Sequence, residues 1–323
     1  MKISKAALAT ATAIASIKGA AAKHRSADLD GVGYDALHIN PEATAVINGG
    51  TYDARNIRAR GGGYNIYDGA YGIFVDEHAN TTVCDAKLIK GGTEFDDWET
   101  YGRSGVYVGS NATLNIVGGV IEGGDSTKAQ NGASEAGASG VSVWAQNEKQ
   151  NRIVITGGEI LGGMRAGAHG DERGESISIE GGSEVYVYGG KIGDRRTNKV
   201  LDMSVGFSSN LPPDSRIAAV AIFGGDWKGN RMFVGSGNNG MAWLDIIGDD
   251  LHATRLSQED IYDVLVEGHL CDGSFFNQTI TVNTVNANPI TIYDCSTMSE
   301  RPTFEDDCGS GKKKKKKKKS RRL

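Results

Sequence analysis

Residues 105–124 read GVYVGSNATLNIVGGVIEGG. Two short strand-like stretches, Val106-Tyr-Val108 and Leu114-Asn-Ile116, flank a polar turn, and a Gly-Gly pair with one more apolar step follows. Alternation of period two belongs to strands, not helices. The same texture returns along the chain: ALHINPEATAVINGGTY from Ala36, GIFVDEHANTTVCDAKLIKGG from Gly72, and GVSVWAQNEKQNRIVITGGEILGG from Gly140. Further copies are GAHGDERGESISIEGGSEVYVYGGKIG from Gly167 and MFVGSGNNGMAWLDIIGDDL from Met232. A weaker one runs from Ser204 through AIFGGDW at 221–227. The starts lie 27 to 37 residues apart. Fixed strand motifs with irregular spacing imply one coil per repeat, with loops of varying length leaving from one edge. A unit this small cannot bury its apolar face alone, so coils must stack.

Composition agrees. Gly makes up 46 of 323 residues, about twice the usual share, and Pro only 5. Gly is a poor helix former, roughly 1 kcal/mol below Ala, so a helical bundle is excluded. No run of 11 or more residues has a 3.6 period. A sandwich or propeller would need tight Asn-Gly or Asp-Gly hairpins between strands, whereas here the Gly-Gly pairs sit inside each unit.

This repeat resembles the right-handed parallel β-helix proteins of the pectin-lyase-like superfamily, with the Gly-Gly-rich texture of secreted adhesin and autotransporter passengers. The resemblance covers residues 30 to 250. It implies an all-β solenoid of about seven coils, a stack of about 34 Å at the ~4.8 Å strand spacing, with caps at both ends. Four parts are expected: a signal peptide over 1–22, a parallel β-helix over 23–255, a disulfide-stapled C-terminal cap over 256–308 and a flexible polylysine tail over 309–323. Leu256 to Val266 (LSQEDIYDVLV) reads as a helix with Ser257 as its N-cap. Asp249-Asp250 reads as a replacement for a Gly-Gly turn.

The ends define the compartment and the charge. Lys2 and Lys5 precede an apolar stretch from Ala6 to Ile17, and Gly19-Ala-Ala-Ala22 offers small residues for cleavage. Lys18 fits this secretory signal less well; an amphipathic helix or a transit peptide is the alternative. No other stretch approaches the ~20 apolar residues of a membrane anchor. Lys312, Lys313, Lys314, Lys315, Lys316, Lys317, Lys318 and Lys319 form the tail, followed by Ser-Arg-Arg-Leu323. Of 35 Lys and Arg, three lie in the leader and ten in the tail, leaving 22 against 40 Asp and Glu. The body therefore carries −18 beside a +10 tail. Such a block acts as an interaction tail for polyanions; a run without a role, or a tag, is the plainer reading. The tail is similar to the lysine-rich ends of silaffin-type silica-precipitating peptides, over twelve residues only. An acidic body disfavours nucleic acid as partner.

Cys84, Cys271, Cys295 and Cys308 remain after the leader. An even count in a secreted chain suggests two disulfides, with at least one bridge among the last three. No Cys/His spacing suggests zinc. Asn80, Asn111 and Asn277 open Asn-x-Thr glycosylation sequons.

Chemistry is less legible. Gly235-Ser-Gly-Asn-Asn-Gly240 matches a dinucleotide fingerprint, but a strand follows it where a helix is required, so it reads as a turn. Lyases of the resembling fold abstract a proton next to a uronate carboxylate and need a base and a charge-neutralising group. His169, Asp171 and Arg173, with Asp194, Arg195, Arg196 and Asp202 one coil on, form the catalytic candidate; a solvated charged turn is the bland alternative. Hydrolases of the fold carry paired aspartates and Gly-His-Gly, of which Gly167-Ala-His-Gly170 is a partial echo. Asp96-Asp-Trp-Glu99 suits sugar stacking or calcium, or is simply a soluble loop. No cofactor motif is present, and calcium is the only ion these clusters suggest. The expectation is a secreted, non-catalytic surface or matrix protein that binds polysaccharide or mineral, with a polysaccharide lyase as alternative. The sequence leaves the oligomeric state open.

Overall fold

The computed structural model describes residues 14–18, 35–54, 70–92, 103–125, 137–144, 151–164, 174–180, 182–194, 201–206, 218–235, 242–283, 289–296 and 308. Every regular element among them is a strand. The chain is an all-β parallel solenoid. One ladder stacks Leu37–Ile39, Ile73–Val75, Val106–Val108, Val141–Trp144, Ile177–Glu180, Leu201–Gly206, Arg231–Gly235 and Phe275–Asn283. A second stacks Thr44–Asn48, Asn80–Asp85, Thr113–Ile116, Asn151–Ile155, Ser183–Val187, Ala218–Ile222, the first half of Ala242–Arg255, and Ile290–Tyr293. A third holds the short strands Thr51–Asp53, Leu88–Lys90, Val120–Glu122, Glu159–Leu161, Lys191–Ile192 and Asp226–Trp227. Each coil turns from first ladder to second, then third, and back. Among the described residues the first two ladders hold eight strands each and the third holds six, against seven expected coils. At the N-terminal end, Ile14–Lys18 pairs antiparallel with Thr44–Asn48.

Register converts alternation into stacked rows inside the tube. Ile39, Val75, Val108, Val143, Ile179, Val205, Val234 and Val282 share one row of the first ladder, and all are fully buried. Ile47, Val83, Ile116, Ile155, Val187, Ile222 and Ile246 form the matching row of the second. Tyr52, Ile89, Ile121, Ile160, Ile192 and Trp227 line the third. Thr81 breaks the second ladder's other inner row, between Ala45 and Leu114, and its buried hydroxyl has no hydrogen-bond partner.

The Gly-Gly corners between second and third ladders explain the composition. A Cβ on Gly157 would lie 2.2 Å from the Val117 carbonyl oxygen of the coil before, and one on Gly118 2.4 Å from that of Cys84. The second glycine of the pair has a different duty: Gly119 and Gly158 hold φ of +97° and +88°, which L side chains rarely adopt.

The C-terminal end corrects two expectations. Residues 256–266 do not form a helix, and Ser257 caps nothing helical. Ile261–Leu270 is a strand, antiparallel both to the second half of Ala242–Arg255 and to Phe275–Asn283. The residues that decide this are Val264, Val266, Gly268 and Leu270, all buried, at a spacing of two. The open edge of the first ladder supplies hydrogen bonds that a helix would leave unmet. Asp249 and Asp250 lie inside the 14-residue strand Ala242–Arg255, not at a Gly-Gly corner. This cap ends the stack with antiparallel strands, while Phe275–Asn283 and Ile290–Tyr293 still continue the parallel ladders.

Both disulfides form, Cys271–Cys295 and Cys84–Cys308. The first staples the cap, as expected. Beneath it Tyr188 stacks on Phe223 at 4.7 Å, outside the tube, beside Ala221 and Ile247. Asp272, next to Cys271, accepts the Gly225 amide at 2.8 Å and so occupies the corner that another coil would fill. The second disulfide is long-range, with a sequence separation of 224. It ties the C-terminal stretch back to the second coil. In the chain-entropy account, closing a loop of that size stabilises by about 5 kcal/mol. No helix among the described residues is long and apolar enough to cross a membrane.

Two substitutions should move stability in opposite directions. Gly157→Ala forces a side chain into a backbone contact and should cost roughly 3 kcal/mol, the upper range for overpacking. Thr81→Val removes an unpartnered buried hydroxyl and should gain about 1 kcal/mol. Urea denaturation midpoints report both; a neutral Gly157→Ala would contradict the corner packing.

Candidate functional site

In the three-residue strands of the first ladder, the first and third side chains point inward and the middle one points out. Register places those middle residues in one row: His38, Phe74, Tyr107, Ser142 and Ser178, with Ser204, Phe233 and Thr281 at the following positions. Three aromatic rings therefore meet on adjacent coils. His38 stacks on Phe74 at 4.8 Å and 11°, and Phe74 on Tyr107 at 5.1 Å and 18°. Tyr71, just before its strand, leans against Tyr107 at 4.7 Å and Phe74 at 5.7 Å. Stacked rings cover each other's faces, so the strip turns ring edges outward. Beyond Tyr107 the row drops from rings to the small Ser142 and Ser178. The result is a ledge across a flat, half-buried face.

Two carboxylates grip the first ring. His38 Nδ1 lies 3.0 Å from Asp35 Oδ2, and Nε2 lies 3.1 Å from Asp76 Oδ2 on the next coil. Asp35 also accepts the Tyr71 amide at 3.1 Å. Both ring nitrogens donate when the imidazole is protonated. Burial, the largest influence, works against that charge, but the hydrogen bonds and charges of Asp35 and Asp76 outweigh it and hold the pKa above 6.5. When protonated, the imidazolium lies over the Phe74 face, flanked by acids.

A second cluster lies at the corner between third and first ladders. Segments 55–69, 93–102, 126–136, 165–173 and 195–200 all connect those ladders, so they leave from one edge in successive coils. His169, Asp171, Arg173 and Arg195 fall on these segments, as do Arg196 and Asp96 to Glu99, and lie outside the described residues. Their roots are described. Lys90 is buried there, its Nζ 3.2 Å from Glu122 Oε1 and 3.0 Å from Asp125 Oδ2. Asp125 also accepts the Met164 amide at 2.9 Å, just before segment 165–173. The lysine is neutralised by two acids, which suits a structural brace. It was legible in principle, because Lys90 and Glu122 hold the same slot before Gly-Gly in adjacent repeats.

Asp202 does not join that edge. It is fully buried inside the tube at an irregularity in the first ladder. Gly229 donates its amide at 2.9 Å and Gln278 its Nε2 at 3.2 Å. Burial pushes its carboxyl up to about 8, against the pull of the Gly229 and Gln278 hydrogen bonds. Such a group locks coils together and cannot reach substrate at the surface.

The three sequon asparagines are all exposed: Asn80 opens its strand, Asn111 takes a left-handed turn with φ 60°, and Asn277 lies on the outer side of Phe275–Asn283. Among the described residues no group of three or more His, Cys, Asp or Glu could hold a metal ion. Lys312 to Lys319 lie outside the described residues, but their root, Cys308, is fixed at Cys84. The disulfides indicate an oxidising, extracellular setting. No family model, curated protein or solved structure matches the chain.

The two shifted groups predict a pH profile. Asp202 keeps its proton in the fold while the unfolded chain loses it near 3.8, so stability falls as pH rises from about 4 to about 8. His38 adds stability that is complete below pH 6.5 and is lost as pH rises through its higher folded value. Asp202→Asn should flatten the broad decline, and His38→Gln only the part above pH 6.5. Thermal melts across pH 4 to 9 measure this; unchanged slopes in both variants would contradict the assignment.

Proposed function

We propose that this chain is a secreted β-solenoid of a cell surface or extracellular matrix that binds polysaccharide without cleaving it. The observation that carries the reading is the aromatic ledge of His38, Phe74, Tyr107 and Tyr71 on the flat outer face of the first ladder. The apolar rings and the serine hydroxyls beside them suit the apolar faces and hydroxyls of a sugar chain, and Asp35 and Asp76 add acceptors for its hydroxyl donors. The N-terminal leader supports secretion, and the sequons support glycosylation if the route is eukaryotic. The solenoid is in keeping with a pectin-lyase-like shape. The lysine tail supplies a tether to anionic polymer or mineral surfaces.

A second reading, a polysaccharide lyase acting on uronate polymers, is favoured by one observation. The described strands flanking 165–173 and 195–200 are the third and first ladders in both cases, and these two connections carry His169, Asp171, Arg173 and Arg195 in the sequence. Calcium would be its natural helper.

Both are tested by incubating the oxidised chain with neutral and uronate polysaccharides, with and without calcium. Pull-down and the ultraviolet signal of unsaturated uronate are read together. The binding reading predicts retention without turnover, weakened roughly 2- to 10-fold by Tyr107→Ala, the range of one aromatic contact. Deleting 312–323 should abolish retention on anionic matrices at low salt only. Turnover that disappears with His169→Ala or Arg173→Ala would replace binding by lyase chemistry.

A further inference from the structure

The cap concentrates two surface features. The four exposed large apolar side chains found among the described residues, Leu256, Ile261, Phe275 and Tyr293, all belong to it. Residues 248–267 also hold six carboxylates, Asp249, Asp250, Glu259, Asp260, Asp263 and Glu267, against a lone Arg255. The antiparallel register places Ile261, Asp263, Leu265, Glu267 and His269 on one side of the middle strand, facing away from buried Val264 and Val266. Arg255 stiffens the hairpin end: its Nε donates to the Ser257 carbonyl at 2.7 Å and its guanidinium lies 3.7 Å over the Tyr262 ring. The outer face of this sheet is thus an ordered, acidic, partly apolar surface with no strand or sheet packed on it among the described residues.

The chain carries a matching segment, the +10 tail. Lysine suits such a face twice over, since its ammonium meets carboxylates and its four-carbon stem covers apolar surface. The Cys84–Cys308 bond decides which face the tail can reach. It roots the tail at the second coil, and the second ladder counts six strand steps from Asn80–Asp85 to Ile290–Tyr293. At ~4.8 Å per step that is about 29 Å. A fully extended chain covers ~3.3 Å per residue, so within one molecule only Lys317 and later residues reach the cap, and only when stretched taut. A second copy imposes no such limit, and all eight lysines can lie on its cap.

We propose that copies of this chain associate head to tail, the lysine tail of one lying on the acidic outer face of the next copy's cap. The contact is heterologous, so it builds open chains or closed rings of copies. It is electrostatic and weakens with salt. It goes beyond polysaccharide binding and does not depend on it.

Sedimentation velocity of the oxidised full chain, with no polysaccharide present, tests this over a hundredfold concentration range at low and at high salt. The expected result is species larger than monomer that grow with concentration at low salt and revert to monomer at high salt. Deleting 312–323 should give monomer, and so should the cap variant Asp249→Asn, Glu259→Gln, Asp260→Asn, Glu267→Gln, whose strand content circular dichroism verifies. Cys84→Ser with Cys308→Ser frees the tail root to approach its own cap, and should lower association at least severalfold. A monomer at every concentration in low salt overturns the proposal. So does association that survives neutralisation of the cap.

Discussion

Everything in this molecule depends on how closely one coil lies on the next. The corner backbones touch: there is no room for a Cβ at Gly118 or Gly157, because the carbonyl of the previous coil occupies that space. That contact holds the three ladders in register. Register in turn lines identical slots above one another, so inward residues become rows of Ile and Val, and outward residues become strips. The aromatic ledge at His38, Phe74 and Tyr107 is such a strip. The edge from which the long connections leave exists for the same reason.

A solenoid built this way is stabilised mostly by nearest neighbours. Local damage would unzip it from an end, and both ends are treated. The cap replaces the parallel stack by antiparallel strands, and Asp272 fills the last corner. The Cys84–Cys308 bond acts at longer range by binding the C-terminal stretch to an early coil. One covalent link then joins parts of the chain that the ladders connect only through every intervening step. Asp202 and Gln278 do something similar inside the tube, joining a strand of one coil to one in the cap.

The parallel solenoid and its Gly-Gly corners were legible because both depend on local pattern. Alternation gave the inward rows, and paired glycines marked where backbone meets backbone. The short third strands were visible only as one apolar residue after each Gly-Gly. The segment 256–266 misled because Ser257 reads as an N-cap ahead of Glu259 and Asp260. The edge of the first ladder, which no local pattern reveals, made it a strand. The pairing of Cys84 with Cys308 was illegible for a related reason: partner choice follows the path of the chain, and sequence distance favoured the other cysteines. The grip of Asp76 on His38 spans two repeats and needed register before it could be seen. The lyase candidates on 165–173 and 195–200 lie outside the described residues.

The most direct measurement of this account is a cross-link across one ladder step. All four native cysteines are bridged, so an introduced pair reports alone. Ser142 and Ser178 are register partners on adjacent coils. Ser142→Cys with Ser178→Cys should be joined rapidly by a short bifunctional thiol reagent, while Ser142→Cys with Thr281→Cys, four steps away on the same row, should not. Equal yields for both pairs, or none for the first, would contradict the stacked register on which the ledge, the loop edge and the cap all rest.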